Sequence, residues 1–183
     1  LDDNNYGYVS LDEIAVFKHG KKASITFNAL PKDKSYAQKE GYTFFMEKEI
    51  YEQGAVVSET IMGRVKNHKV TLENLDDEYL KGIDDIVLCA CGTSYHAALV
   101  ASYLFERLAK VRTKVEVASE FRYRKPYLNK NSLFIVISQS GETADTLEAL
   151  RIAKEAGLKT LAICNVDNSS IVRLADNTLL TRA

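Results

Sequence analysis

Short apolar runs alternate with segments of helical length over the second half of the chain. Five runs have the length of strands, at 86–91, 114–119, 133–138, 160–164 and 178–181. The first, third and fourth are almost continuously apolar, as strands covered on both faces must be. Helical segments at 94–109 and 142–156 separate them, and Gly157 follows the second in the position of a C-cap. This alternation predicts an α/β fold with a doubly wound parallel sheet flanked by helices.

The first part of the chain has a different pattern. Apolar and polar residues alternate from 13 to 28 around the turn His19-Gly20-Lys21-Lys22, which predicts a β-hairpin. Residues 31–42 are polar, charged and aperiodic, as in a linker, and a helical pattern then runs from about Phe45 to Val65, with a short one at 75–80. We therefore expect partial strands of an upstream domain at 1–30, a linker at 31–42 and a truncated sheet domain at 43–183.

Composition and charge exclude several classes of protein. The chain is 46% hydrophobic with 9 Gly and 2 Pro, so collagen-like, low-complexity and disordered chains are excluded. Its 24 basic and 25 acidic residues leave no positive excess for nucleic acid. No apolar run approaches the roughly 20 residues that cross a bilayer, and the acidic start Leu1-Asp2-Asp3 is unlike a secretory signal. We expect a cytoplasmic protein with no nucleic-acid or membrane partner.

The three cysteines favour no metal site and no disulfide framework. Cys89 and Cys91 are two residues apart in one strand-like run, and Cys164 lies alone in another. Reduced, buried thiols are the expected state.

Two predicted turns from strand to helix carry the candidate chemistry, because ligands of such sheets bind beyond the carboxyl ends of the strands. Gly92 and Gly141 let the backbone approach a ligand, and a helix N-terminus attracts anions such as phosphate. Hydroxyl and amide side chains there suit a phosphorylated sugar. The candidate side chains are Thr93, Ser94, Ser138, Gln139, Ser140 and Thr143.

Each of these turns has an ordinary structural interpretation as well. Ser140 followed by Glu142 is also how a helix is commonly capped. Four side-chain hydrogen-bonding groups in the second turn exceed the one that a cap needs, which favours binding. Neither a P-loop nor a G-x-G-x-x-G sequence is present, so a monophosphate held without a lysine fits better than a nucleotide, and no cofactor is expected.

Two further features are open to a functional and a structural interpretation. His96 falls in the first turn of a predicted helix, but no carboxylate at a fixed local spacing orients it, so a structural role is favoured over acid–base catalysis. The run 120–126 mixes cations with aromatic residues, and a subunit contact is favoured there over RNA binding.

Five strings follow one another along the chain: Phe45–Gln53, Ala90–Tyr95, Ala118–Arg124, Ser138–Thr146 and Ala162–Val166. Together they resemble the sugar isomerase (SIS) domain of the glucosamine-6-phosphate synthases, the isomerising glutamine:fructose-6-phosphate amidotransferases. The resemblance extends from about residue 42 to the end, and it is weaker over 1–30, which is similar in pattern to the last strands of a glutaminase domain.

The resemblance implies a dimeric enzyme that makes glucosamine 6-phosphate from fructose 6-phosphate and glutamine. It implies that the six side chains named above hold the sugar phosphate. It further implies that the ring-opening histidine, the imine-forming lysine and the proton-moving glutamate come from other parts of such an enzyme, so that no catalytic residue lies in this chain. The alternatives are a regulator that senses phosphosugars through the same fold, and a purely structural dimerisation domain.

Overall fold

The computed structural model describes residues 4–25, 39–73 and 75–182. The chain divides into two compact units, Leu1–Lys48 and Glu49–Ala183. The boundary between them falls inside the first helix, α1 (Phe45–Ile61).

The first unit contains a three-stranded antiparallel sheet. Its strands are β1 (Asn5–Val9), β2 (Ile14–Lys18) and β3 (Lys21–Lys22), in that order. His19 and Gly20 join β2 to β3 with φ of 50° and 76°, as in the hairpin turn whose backbone matches the twist of the strands. A hairpin turn is therefore present at His19 and Gly20, but Lys21 and Lys22 of the predicted turn form β3, and Ile25 lies outside the strand. β1 is an additional strand that the alternation did not predict.

Part of the predicted upstream region cannot be compared with the structure. Residues 26–38, which include Phe27 and most of the predicted linker at 31–42, lie outside the described residues. The origin of the strands in an upstream domain remains a prediction.

The second unit alternates strands and helices. The elements are β4 (Val65–Lys66), β5 (Lys69–Val70), α2 (Asp77–Leu80), β6 (Asp85–Ala90), α3 (Gly92–Leu104), β7 (Arg112–Val117), α4 (Ala118–Arg124), β8 (Ser132–Ser138), α5 (Ala144–Glu155), β9 (Lys159–Cys164), α6 (Ser170–Leu174) and β10 (Asn177–Leu180). β4 and β5 form a small antiparallel pair, and β6 to β10 form one parallel sheet in the order β7-β6-β8-β9-β10.

Both faces of this sheet carry an apolar layer, because successive strand side chains point to opposite faces. Val87 and Cys89 of β6 belong to the layer that α4, α5 and α6 cover, in which Phe121 and Phe134 are fully buried with ring centroids 5.2 Å apart. Ile86 of β6 belongs to the opposite layer, toward α2 and α3. The predicted doubly wound parallel sheet is confirmed.

The chain between α1 and β4 is fixed to the last strand. The Arg64 guanidinium donates to the Leu180 carbonyl at 2.8 Å and to the Glu73 carboxylate at 2.9 Å. The Arg182 N–H donates to Thr60 Oγ1 at 3.1 Å. These contacts hold the end of α1 beside β10.

Several element boundaries differ from the predicted ones. The helix predicted at 94–109 begins at Gly92, and its last turn is a π-helical segment, Phe105–Ala109. The strand predicted at 114–119 runs from Arg112 to Val117, α4 begins at Ala118, and α6 was not predicted. In the described ranges of the chain, no helix has both the length and the apolar character needed to span a membrane.

The three cysteines are free. Burial raises the pKa of the Cys89 thiol, and the nearby Glu116 carboxylate raises it further. Cys91 differs from the prediction of a buried strand residue, since it is the partly buried N-cap residue of α3. It lies there because β6 ends at Ala90.

Candidate functional site

The two predicted turns lie at the point where the strand order reverses. β6 and β8 are neighbours in the sheet, and the chain leaves β6 into α3 on one face and β8 into α5 on the other. The crevice between two such connections, beyond the carboxyl ends of the strands, is where open α/β sheets bind ligands. The structure therefore places the turn Cys91–Ser94 and the loop Ser138–Thr143 after the carboxyl ends of two neighbouring strands.

The first turn opens α3 without a side-chain cap. Cys91 is the N-cap residue and makes no side-chain hydrogen bond to the helix. Gly92 has a φ of 57°, and among the described residues no atom beyond its chain neighbours and its own helix backbone lies within 4 Å of the position a Cβ would take. The Thr93 side chain is exposed and Ser94 is partly buried. The first N–H groups of a helix have no partner within it, so this turn offers backbone donors together with two hydroxyls.

The second loop, Ser138–Thr143, is called the phosphate loop below because its sequence predicts phosphate binding, and it is folded around its own hydroxyls. The buried Ser138 Oγ accepts the Gly141 N–H at 3.0 Å and lies 3.4 Å from Thr143 Oγ1. Ser140 Oγ accepts the Glu142 N–H at 3.2 Å. A hydroxyl that accepts a backbone N–H keeps its own O–H to donate. The Gln139 and Ser140 side chains are exposed, so the O–H of Ser140 is available to an acceptor from solvent.

The helix after the phosphate loop begins later than predicted. α5 starts at Ala144 with Thr143 as its N-cap residue, whereas the sequence pattern placed the start at Glu142 and allowed Ser140 as a cap. The Thr143 side chain makes no capping hydrogen bond. The residues before it are unavailable to the helix because they hydrogen-bond to the segment that follows β9.

That segment, residues 165–170, is the part of the site that sequence reasoning missed. The Gln139 carbonyl accepts the N–H groups of Asn165 and Val166, both at 3.3 Å, and the Gly141 carbonyl accepts the Ile171 N–H at 3.0 Å. Two signals were available: 165–169 follows a buried strand and precedes a helix, and the string Ala162–Val166 belongs to the resemblance. The polar segment thus holds the phosphate loop in place through these backbone hydrogen bonds.

The two glycines have different surroundings. At Gly92 the space beside the backbone is open, as expected for a ligand-facing glycine. Gly141 is buried with a φ of 67°, and the space that a Cβ would need is filled by the Ser169 side chain. Packing inside the protein therefore accounts for Gly141.

The Glu142 carboxylate is turned to the start of α6. Its Oε1 accepts the Ser170 N–H at 2.7 Å. Hydrogen bonds from the Ser170 backbone and hydroxyl lower the pKa of Glu142; burial opposes this slightly and the charge of Arg173 adds to it. The carboxylate is thus ionised at neutral pH and bound to the protein's own donors.

The other predicted features make contacts of their own. His96 is exposed, with its ring against Tyr95 at a centroid distance of 5.6 Å. In the run 120–126, the guanidinium of Arg122 binds Asp145 at 2.6 Å and that of Arg124 binds Glu116 at 2.5 Å. Among the residues that the structure describes, no group of three or more His, Cys, Asp and Glu side chains is arranged to hold a metal ion.

Comparison with known proteins gives matches along the whole chain. A protein from Campylobacter jejuni and one from Helicobacter pylori, both named glutamine–fructose-6-phosphate aminotransferase [isomerizing], are 62% and 46% identical over 183 residues. These alignments cover 100% of this chain but 31% and 30% of the relatives. The chain therefore spans about a third of the length of these curated proteins.

Solved structures share the fold. The C-terminal domain of glucosamine-fructose-6-phosphate aminotransferase from Francisella tularensis has a TM-score of 0.74 and 46% identity, over 79% of this chain and 41% of that one. Glucosamine-6-phosphate deaminase from Thermotoga maritima has a TM-score of 0.61 and 29% identity, over 75% of this chain and 40% of that one. The model of the SIS domain matches residues 79–183, which contain both turns of the crevice. The chain therefore belongs to the SIS domain family.

Proposed function

We propose that this chain is the sugar-phosphate-binding part of an isomerising glutamine–fructose-6-phosphate aminotransferase. The observation that supports the proposal is that two hydroxyl-rich turns follow neighbouring strands at the reversal of strand order, one opening α3 and the other preceding α5. Relatives that carry this enzyme name match the chain from end to end, which favours the enzyme over a sensing regulator or a structural dimerisation domain. Fructose 6-phosphate and glucosamine 6-phosphate are the expected ligands.

The phosphate group would bind beside the phosphate loop. Ser140 and Thr143 would donate their O–H groups to its oxygens, with Ser138 and Gln139 completing that side. Neither turn contains Lys or Arg, so the dianion would be held by hydroxyls, backbone N–H groups and the positive end of α5. Hydrogen bonds to a charged oxygen are roughly twice as strong as neutral ones. From the other side of the crevice, Thr93, Ser94 and the open backbone at Gly92 would contact the same ligand.

The chemical steps of the reaction would be performed elsewhere. In the proposed enzyme, this chain binds and orients the sugar phosphate, while ring opening, imine formation and proton transfer use residues from other parts of the protein or its partner. Residues 1–30 would be the last strands of a glutaminase-type domain, 31–42 a linker and 43–183 the first SIS subdomain. The enzyme would be a cytoplasmic homodimer, in which the run 120–126 contributes to a subunit contact.

A calorimetric titration with glucosamine 6-phosphate tests the proposal. The Ser140→Ala and Thr143→Ala variants each lose one hydrogen bond to a charged group, which is expected to weaken binding about tenfold. Thr113→Ala, at the amino end of the sheet beside Ile86, is the matched control and should bind as the native chain does. Equal affinity in all four proteins would contradict the assignment of the site. Absence of binding to the native chain would contradict the assignment of the ligand.

A further inference from the structure

We propose that Glu142 is the positioning residue of the phosphate loop, through a carboxylate-to-backbone latch on the first turn of α6. The inference rests on the proposed function, because it concerns how the loop that receives the phosphate is held. Glu142 contacts the protein's own donors, so it is assigned no contact with the ligand or with reacting atoms.

The latch joins two consecutive loop residues to two consecutive residues of α6. Glu142 Oε1 accepts the Ser170 N–H at 2.7 Å, and the Gly141 carbonyl accepts the Ile171 N–H at 3.0 Å. The two N–H groups belong to the first turn of a helix, where the helix itself supplies no acceptor. The loop therefore completes α6, and α6 in turn fixes two points of the loop.

The same residue fixes the serine that would bind phosphate. The Glu142 N–H donates to Ser140 Oγ at 3.2 Å, while the carboxylate of Glu142 reaches Ser170 on the other side. A shift of Glu142 would therefore move the Ser140 hydroxyl. Thr143 follows directly as the N-cap residue of α5, so both proposed phosphate donors lie within two residues of Glu142 in the chain.

The negative charge of Glu142 in a loop proposed to bind an anion also needs an explanation. Like charges repel, so an unrestrained Glu142 beside a phosphate dianion would weaken binding. The latch turns the carboxylate toward the Ser170 N–H. The guanidinium of Arg173 donates to the Asn168 carbonyl at 2.6 Å, and its positive charge also lowers the pKa of Glu142. A role in holding the loop explains the carboxylate, because that role requires a hydrogen-bond acceptor on the side chain of residue 142.

Two substitutions of Glu142 separate positioning from charge. Glu142→Gln keeps a side-chain oxygen of the same reach and removes the charge, whereas Glu142→Ala removes the acceptor. Glucosamine 6-phosphate, titrated into the full chain by calorimetry, should bind Glu142→Gln within about threefold of the native affinity and Glu142→Ala about tenfold more weakly. Glu155→Ala, an exposed acidic residue at the other end of α5, is the matched control and should bind normally.

A substitution on the other side of the latch tests the same contact independently. Ser170→Pro removes the N–H donor at the first position of α6, where proline is accepted, and Ser169 already has the extended backbone, ψ 165°, that precedes proline. Ser170→Ala keeps the N–H and removes only the hydroxyl contact with Glu142, so it should weaken binding less than Ser170→Pro does. Ser170→Pro should weaken binding as Glu142→Ala does, and the double variant should bind no more weakly than either, because both remove one contact.

The outcomes distinguish this inference from the proposed function. If the native chain does not bind glucosamine 6-phosphate, the proposed function is wrong, and the positioning role of Glu142 is wrong as well. If the native chain binds and Glu142→Ala binds equally well or more tightly, only the latch is overturned, and tighter binding by both Glu142 variants would show that the carboxylate acts through repulsion. If the double variant of Glu142→Ala and Ser170→Pro loses as much affinity as the two single variants together, the latch is also overturned. A melting temperature for each variant separates loss of affinity from loss of folding.

Discussion

Gly141 and Ser169 occupy adjoining positions so closely that a Cβ on the glycine would overlap the serine side chain. The same Cβ would lie 2.9 Å from Cys164 Sγ, and Gly141 has a φ of 67°. Glycine is the residue that adopts this conformation without steric cost. Position 141 is therefore constrained twice, by backbone conformation and by the segment between β9 and α6.

Replacing this glycine should destabilise the fold more than replacing the other glycine of the site. Gly141→Ala is expected to cost about 2–4 kcal/mol of the free energy of unfolding, from the positive φ together with overpacking against Ser169. Gly92→Ala has a similar φ but open space, and about 1 kcal/mol is expected. Urea unfolding of both variants measures the difference. Adding Ser169→Gly to Gly141→Ala should recover part of the loss, and equal losses at the two glycines would contradict this account.

The central sheet should depend on the aromatic pair between α4 and β8. Phe121 and Phe134 are fully buried, and Phe134→Ala is expected to cost about 3–5 kcal/mol because it leaves a cavity in close-packed surroundings. Tyr127→Ala, at a side chain that is 94% exposed, is the control and should change stability by less than about 0.5 kcal/mol. A loss below about 1 kcal/mol at Phe134 would mean that the layer under α4 and α5 is not packed as described.

Asp176 should make stability depend on pH. Its carboxylate accepts from the Thr160 N–H at 2.9 Å, the Thr160 hydroxyl at 2.8 Å and Lys154 at 2.6 Å. Burial alone would raise the pKa of Asp176, but these hydrogen bonds outweigh it, and the pKa lies below its ordinary value.

The sign follows from that lowered pKa. The folded protein holds the ionised form more tightly than the unfolded chain, so the contribution is complete above the ordinary carboxyl pKa of about 3.9 and is lost as pH falls through the lower folded value. Asp176→Asn should therefore be less stable than the native chain at pH 7, and the gap should narrow below about pH 4. Urea unfolding of both proteins at several pH values measures this difference in the free energy of unfolding. A gap that stays constant or widens toward low pH would contradict the assignment.

The central strands could be predicted because their burial leaves a simple pattern. β8 is buried along almost its whole length, so its sequence is a nearly continuous apolar run bounded by polar residues. α5 was recognisable from its apolar spacing and from Gly157, whose N–H and positive φ close the helix end. α6 has five residues, which is too short for a helical period to appear.

That the two hydroxyl-rich turns follow strands of one parallel sheet could be predicted, whereas their internal geometry could not. Strand ends of a parallel sheet share one edge, so the two hydroxyl-rich turns were expected to meet. The choice of Thr143 as the N-cap residue depends on hydrogen bonds from a distant part of the chain, since Glu142 and Ser170 are 28 residues apart. Local hydroxyl patterns offer several caps, and only the fold selects among them.

A crystal structure of the chain with glucosamine 6-phosphate tests the central claim most directly. The account predicts the phosphate beside Ser140 and Thr143, with the sugar reaching the turn at Thr93 and Ser94. Ligand density at another place on the protein, with only solvent between these two turns, would contradict it.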